Sequence, residues 1–145
     1  MSAIGRPTLA DEVLARDRVL AFVGRYEQAL SCLDKACRLS PHDPLLFGFM
    51  SARGMALILM GQYDEAVKWN EMAVRQPNAH FQVHGILASS LGHLGRIDEA
   101  KRALDETSRL RPDYSSALVE RTIPFQRPED LEHFLEGLRK AGLRE

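Results

Sequence analysis

The sequence predicts an all-α fold in which three helix hairpins stack into a superhelix and C-terminal helices cap the stack. A six-residue block that begins with glycine and ends with alanine occurs three times, at residues 24–29, 61–66 and 95–100. An apolar-rich stretch with helical periodicity precedes each block, and a proline follows each one: Pro41, Pro77 and Pro112. A repeat of this length indicates a solenoid of stacked helical units.

Each part of the repeat has a physical role in a helix hairpin. The glycine ends the first helix and permits a tight turn. Acidic residues then stand where the dipole of the second helix favours them: Glu27, Asp64, Glu65, Asp98 and Glu99. The closing alanine is small enough for two helices to approach closely, and the later proline cannot continue the second helix. One hairpin cannot bury its apolar face alone, so we expect the three hairpins to stack.

The C-terminal segment predicts two more helices. The first covers residues 114–123 and stops at Pro124, and the second begins at Pro128 and ends at Gly142. The second carries one apolar stripe at helical spacing: Leu131, Phe134, Leu135 and Leu138. We expect this stripe to pack against the stack. An end cap is favoured over a helix folded back into the groove that the stacked first helices would form, since the connection between the two C-terminal helices is short.

Composition excludes several classes of protein. The 145 residues fit a single domain, and 19 basic against 20 acidic residues give a net charge of −1. Nucleic-acid binders normally carry a basic excess, and nothing here attracts the chain to an anionic membrane. No apolar stretch has the length of a signal peptide or a membrane span, so we expect a cytoplasmic protein. Cys32 and Cys37 lack the spacing of a redox or zinc pair, which predicts free thiols.

One pair of histidines is a candidate metal site. His80 and His84 have the spacing of a metal-ligand pair, but Phe81 stands where zinc proteases of this pattern have glutamate. His93 is too distant in sequence to be an evident third ligand. Phosphate-binding glycine loops and the nucleophile elbow are also absent from the sequence. We therefore expect no catalytic residue, no metal and no cofactor, with a metal-dependent enzyme as the weaker alternative.

The three blocks and their terminal prolines resemble the tetratricopeptide repeat family over about residues 10–112. The resemblance implies repeats at about 10–43, 44–79 and 80–113 within one domain of residues 1–145, and capping helices at 114–145. This chain departs from the family pattern at several positions, among them Asn70 in place of a large apolar residue and Pro77 one residue early. Asp17 stands where a small residue is expected, and Arg16 and Arg53 replace a usual leucine.

Residues 75–80, 122–125 and 131–143 are similar to the C-terminal tails of certain bacterial signalling proteins. In those proteins, tetratricopeptide repeats follow a class III nucleotide cyclase domain or a winged-helix domain. Neither of those domains is present in this sequence. The similarity implies that the chain is the regulatory or scaffolding repeat module of a bacterial signalling protein.

In this family the first helices of the repeats line a concave groove that binds partner peptides. Matching the family's groove positions to this sequence gives nine candidate partner-binding residues: Leu14, Arg18, Phe22, Ser51, Met55, Ile58, Gln82, Ser89 and His93. The predicted groove is small and apolar, and suits an apolar helix or extended segment better than an acidic tail. The implied function is non-catalytic binding of a protein or peptide, with homo-oligomerisation as the alternative. In another interpretation, part of this surface is core covered by the chain's own C-terminal residues.

Arg53 is predicted to lie within a helix at a position that the repeat normally buries. A buried guanidinium needs a partner because desolvating an unpaired charge is costly. Asp17 could supply that partner, or the arginine stem could pack while its head group reaches water. Trp69 is interpreted as a packing residue on the convex side.

Overall fold

A computed structural model describes residues 8–144, and this part of the chain folds into eight α-helices with no β-strand. The helices are α1 (Leu9–Phe22), α2 (Tyr26–Leu39), α3 (Leu46–Leu59), α4 (Tyr63–Val74), α5 (Phe81–Leu94), α6 (Ile97–Leu110), α7 (Ser116–Thr122) and α8 (Pro128–Ala141). The first six form three consecutive hairpins, which confirms the predicted all-α stack.

The hairpin turns depend on the three repeated glycines. Gly24, Gly61 and Gly95 have φ values of 91°, 80° and 87°, in the left-handed region that side chains disfavour. At each turn, the residue after the glycine donates its backbone N–H to a carbonyl five residues earlier, as Arg25 does to Leu20 at 2.8 Å. This bond satisfies a carbonyl at the end of the first helix, so the glycine both ends that helix and reverses the chain.

Small residues bring the helices of each hairpin together. Ala29, Ala66 and Ala100 are completely buried, and Phe49 and Ile58 on α3 fill the space beside them. The buried residues form two clusters: one joins α1, α2 and α3, and the other extends from α3 through the last hairpin to α8. Close packing of this kind leaves little room for added volume at the alanine positions.

The C-terminal segment differs in part from its prediction. Helix α7 begins at Ser116, because the side chain of Ser115 caps it by accepting the Leu118 N–H at 3.2 Å. Ile123 is already extended, as a residue before proline prefers to be. The predicted helix over 114–123 is therefore too long by three residues. Helix α8 begins at Pro128 and ends before Gly142 as predicted.

The expectation that α8 caps the end of the stack is wrong. Helix α8 lies across α5 on the concave side and reaches Tyr26 in the first repeat and Tyr63 in the second. The connection after α7 turns the chain back before α8 begins. The Phe125 ring packs edge-on against the Phe22 ring, with the ring centroids 5.3 Å apart. The Gln126 N–H donates to the Phe22 carbonyl at 3.3 Å.

The stripe Leu131, Phe134, Leu135 and Leu138 still packs against the stack, as predicted. It covers the groove side of α5, however, and also contacts α6 of the last hairpin.

Arg53 finds a different partner from Asp17. Its guanidinium donates to Asp34 on α2 at 2.9 Å and lies 3.6 Å from the ring centroid of Trp69. Asp17 is fully buried and accepts from its neighbour Arg16. The pairing of Arg53 with Asp17 is thus wrong, since Arg53 points between α2 and α4. Trp69 is confirmed as a packing residue.

Cys32 and Cys37 are free thiols. Across residues 8–144, none of the helices combines the length and the apolar character that crossing a bilayer requires.

Replacing Ala66 with leucine tests the close approach of α3 and α4. We expect Ala66→Leu to lower the free energy of unfolding by about 1–3 kcal/mol, because the added methyl groups overpack a completely buried site. Thermal and urea denaturation measure the change. The same substitution at exposed Ala117 is the matched control and should leave stability nearly unchanged. Equal effects at both positions would contradict the helix packing described here.

Candidate partner-binding site

The concave face retains one open pocket of about 320 Å³ between α1, α3, α5 and the end of α7. We call it the concave pocket. Its lining combines many apolar side chains with a few polar ones: Ala15, Arg18, Val19, Ala21, Phe22, Ser51, Ala52, Met55, Gln82, Ile86, Thr122, Ile123 and Pro124. A volume of this size lies at the small end of the range for ligand pockets.

The nine predicted groove residues separate into three groups. Five line the concave pocket: Arg18, Phe22, Ser51, Met55 and Gln82. Two belong to the core, since Leu14 packs beside Gly48 and Ile58 is completely buried. The last two, Ser89 and His93, lie beneath α8. A role for any of them in partner binding stays a prediction.

Polar contacts hold α8 over the third repeat. The Ser89 hydroxyl donates to the Phe134 carbonyl at 2.8 Å, and the His93 ring nitrogen Nε2 shares a 2.7 Å hydrogen bond with the His133 carbonyl. Both groove side chains thus bind the backbone of the chain's own helix. The C-terminal residues therefore occupy this half of the groove, as one interpretation of the sequence allowed.

Two glycines set the distance between α5 and α8. A Cβ added at Gly92 would lie 2.1 Å from the carbonyl oxygen of Gly137, and one added at Gly137 would lie 2.3 Å from the carbonyl oxygen of Ser89. The obstructing atoms are backbone atoms, which cannot rotate away. Sequence reasoning missed Gly137. The available signal was a glycine in the interior of an amphipathic helix, where it costs stability unless another backbone approaches.

The tyrosines of the first two repeat blocks anchor α8. The Tyr26 hydroxyl donates to the Asp130 carboxylate at 2.6 Å and accepts from Arg127 at 3.1 Å. Burial and the hydrogen bond to Asp130 raise the pKa of Tyr26 to about 12. The Tyr63 hydroxyl lies 2.6 Å from the ring nitrogen Nε2 of His133. The Tyr63 ring stacks on the His93 ring, with the ring centroids 4.5 Å apart. Sequence reasoning assigned neither tyrosine a role beyond the repeat pattern.

The charge on the concave pocket comes from a single residue. Among residues 8–144, Arg18 is the one charged side chain in its lining. Arg18 is exposed, but the protein around its guanidinium lowers its pKa by desolvation. Burial also lowers the pKa of nearby His80, and the positive charge of Arg18 adds to that effect. The pocket is therefore apolar and weakly positive.

His80, one of the two histidines considered as a metal site, has other partners. His80 caps α5, accepting the Gln82 N–H on Nδ1 at 3.3 Å, and its ring contacts Phe47 edge-on. Residues 8–144 contain no cluster of three or more histidine, cysteine or acidic side chains that could hold a metal ion.

Two stretches of the sequence match models of a known family. Residues 18–43 and residues 82–106 each match a tetratricopeptide repeat. The chain contains tetratricopeptide repeats. A curated relative supports this: the TPR repeat-containing thioredoxin TTL4 of Arabidopsis thaliana is 36% identical over 95 residues. That match includes 66% of this chain, which spans only 14% of the length of that protein.

Solved structures share the tetratricopeptide fold of this chain. MamA AMB-1 superposes with a TM-score of 0.59 and 20% identity, covering 90% of this chain and 72% of that one. MamA MSR-1 gives the same TM-score at 19% identity, covering 92% of this chain and 75% of that one. At these identities the likeness concerns the fold alone.

Adding one methyl group at Gly137 tests the contact between α8 and α5. Alanine in a helix interior normally stabilises by about 1 kcal/mol relative to glycine. Here we expect Gly137→Ala to lower the melting temperature, because its Cβ would clash with the Ser89 backbone. Hydrogen exchange should become faster in α8. Lys140→Ala on the exposed side of α8 is the control, and a stabilised Gly137→Ala variant would show that no close contact exists.

We expect the folded protein to lose stability in mild acid because three of its histidines have lowered pKa values. Burial is the main cause that lowers the pKa of His80, His84 and His93 below the usual 6.5. As the pH falls, the unfolded chain therefore takes up protons before the folded chain does. The histidines contribute their full stabilisation above pH 6.5, and the free energy of unfolding decreases below that pH. Urea midpoints at about pH 7.5 and about pH 5.5 measure this decrease.

We expect His93→Gln to weaken this pH dependence, since glutamine can still donate to the His133 carbonyl but does not titrate. Identical urea midpoints at the two pH values in the unmodified protein would contradict the assignment.

Proposed function

We propose that this chain is a non-catalytic protein-interaction module that binds a short partner segment in the concave pocket. One observation carries the proposal: on a stack of tetratricopeptide repeats, α8 covers part of the concave face and leaves an apolar pocket open between the first helices. Val19 lines this pocket and has 57% of its surface exposed. Apolar pockets with a few polar groups are typical binding sites.

The composition of the pocket supports a role in binding over a role in catalysis. Within the described part of the chain, its lining contains no carboxylate, histidine or cysteine side chain. General acid–base catalysis and nucleophilic catalysis draw mainly on those groups. A pocket of apolar side chains with one guanidinium instead suits recognition of a complementary segment.

We further propose that the module serves a regulatory or scaffolding role within a bacterial signalling protein in the cytoplasm. The proposal rests on the similarity of its C-terminal residues to the tails of such proteins. The curated relative supports only the general arrangement, because its name places repeats of this kind in a much longer thioredoxin. We propose no nucleic-acid or membrane partner, in keeping with the balanced charge.

Self-association is a second candidate function, favoured by the first hairpin. Large apolar side chains are exposed there: Leu9, Val19, Val23 and Leu39. Exposed apolar surface at one end of a helical stack can pair with a second copy. Light scattering on Val23→Asp tests this function: a change from dimer to monomer supports it, and a monomer in both proteins excludes it.

Site-specific crosslinking tests binding in the concave pocket. A photoreactive phenylalanine at Val19 should crosslink to a partner in cells, whereas the same group at exposed Leu110 on α6 should not. Arg18→Glu should abolish the Val19 adduct because it reverses the one charge of the pocket. Arg102→Glu on α6 is the matched control. Equal adducts at Val19 and Leu110 would contradict the proposed site, whereas no effect of Arg18→Glu would show only that the bound segment makes no charged contact with Arg18.

A further inference from the structure

We propose that the concave pocket selects an internal peptide segment in which one aspartate or glutamate lies between large apolar residues, with the carboxylate paired to Arg18. This inference rests on the proposed function and specifies the chemistry of its partner. Three features of the described residues support it: an arginine without an acidic partner, apolar surface on both sides of that arginine, and the restricted length of the open groove.

The first feature is the missing counter-charge at Arg18. Within residues 8–144 its guanidinium makes no ion pair or side-chain hydrogen bond, and no acidic side chain lines the pocket. Arg18 is an exposed residue, whereas two half-buried arginines of this chain have carboxylate partners: Arg53 pairs with Asp34 at 2.9 Å, and Arg127 lies 4.0 Å from Asp130. The neighbouring titratable group that responds to Arg18 is His80, which would add positive charge on protonation.

The surroundings of Arg18 make a carboxylate the favoured group. Arg18 is an exposed residue and its guanidinium is accessible to a bound segment, although nearby protein lowers its pKa by removing part of its hydration. A carboxylate on a bound segment would offset that loss of hydration through charge-assisted hydrogen bonds. A neutral amide could accept only a weaker bond, and a cation would be repelled. The charge on the pocket therefore discriminates among segments of equal apolar content.

The second feature is apolar surface on both sides of Arg18. Along α1, Ala15 precedes it by one turn and Phe22 follows it by one turn, and both line the pocket. Met55 and Ile86 face them from α3 and α5. Methionine adapts its shape to different apolar groups. A segment that crosses α1 at Arg18 thus meets apolar surface before and after its acidic residue.

The third feature is the short length of the open groove. Helix α8 already covers Ser89 and His93, and Ile123 and Pro124 form a wall of the pocket. A volume of about 320 Å³ holds a few side chains and not the face of a long helix. The apolar surface on both sides of Arg18 favours a carboxylate in the middle of the segment over one at the end of a chain.

Peptide display on the full chain tests this inference. Short random segments are displayed internally, without free ends, and selected on the unmodified protein, on Arg18→Gln and on Arg18→Lys. Arg102→Gln on α6 is the control for loss of a surface charge. A second library with free carboxyl termini tests whether a terminal carboxylate is preferred. Thermal denaturation of each variant verifies that it is folded.

We expect the unmodified protein, Arg18→Lys and Arg102→Gln to enrich segments with an acidic residue flanked by large apolar residues. Arg18→Gln should lose the acidic preference. Replacing the acid of the best peptide with its amide should weaken binding by roughly tenfold to a hundredfold on the unmodified protein and leave binding to Arg18→Gln unchanged. NMR shifts of the Met55 methyl group should place the peptide in the pocket.

Three results would overturn the inference: enriched segments without acids, the same segments on Arg18→Gln, or enrichment only in the library with free termini. Failure to enrich any segment would also overturn it. These results differ from failure of the proposed function, which the Val19 crosslink decides. An adduct at Val19 together with purely apolar enriched peptides would retain the binding site and reject the acidic partner.

Discussion

The backbone contact between Gly137 on α8 and α5 determines how much of the concave face a partner can reach. Because neither Gly92 nor Gly137 carries a side chain, the carbonyl of each helix approaches the other helix directly. Ser89 and His93 can then bond to carbonyls of α8. With any side chain at these glycines, α8 would have to stand farther away, and both polar groups would lose their partners. This contact fixes how α8 covers the third repeat, while Ile123 and Pro124 bound the open pocket.

The same contact gives the repeat tyrosines a second role. Tyr26 and Tyr63 begin the second helices of their repeats, beside the turns that Gly24 and Gly61 form. Since α8 runs from the first repeat towards the third, it passes both tyrosine hydroxyls, which bind Asp130 and His133. Helix α8 therefore ties the repeats together along the concave side as well as covering part of the groove. In a stack where each hairpin otherwise contacts mainly its neighbours, such a connection couples the ends.

The distribution of charge separates the covered half of the groove from the open half. Beneath α8, polar groups meet partners within the chain, as Asp130 does in binding Tyr26 and approaching Arg127. At the open pocket Arg18 meets apolar surface and no acid. An exposed guanidinium without an acidic partner is available to a carboxylate from outside the chain. This difference is the physical basis for assigning binding to the pocket and internal packing to the region under α8.

The sequence by itself determined the three hairpins, their turns and their close alanine contacts, because these depend on residues near each other in the chain. Gly61 and Ala66, for example, act within one hairpin, where helical periodicity and the need for a left-handed turn are local constraints. It also predicted the start, the end and the apolar stripe of α8, for the same reason. Five of the nine groove residues carried over from the family, Arg18 and Met55 among them, do line the open pocket.

Only the tertiary structure decided where α8 lies and which groove residues it covers. That choice depends on Gly92 and Gly137, which are far apart in sequence and show their complementarity only when two backbones meet. The partner of Arg53 was likewise undecided, since Asp17 and Asp34 both lie in the first hairpin and only the direction of the arginine side chain selects Asp34. Side-chain direction and contacts between distant segments are properties of the packed molecule, and local sequence patterns do not encode them.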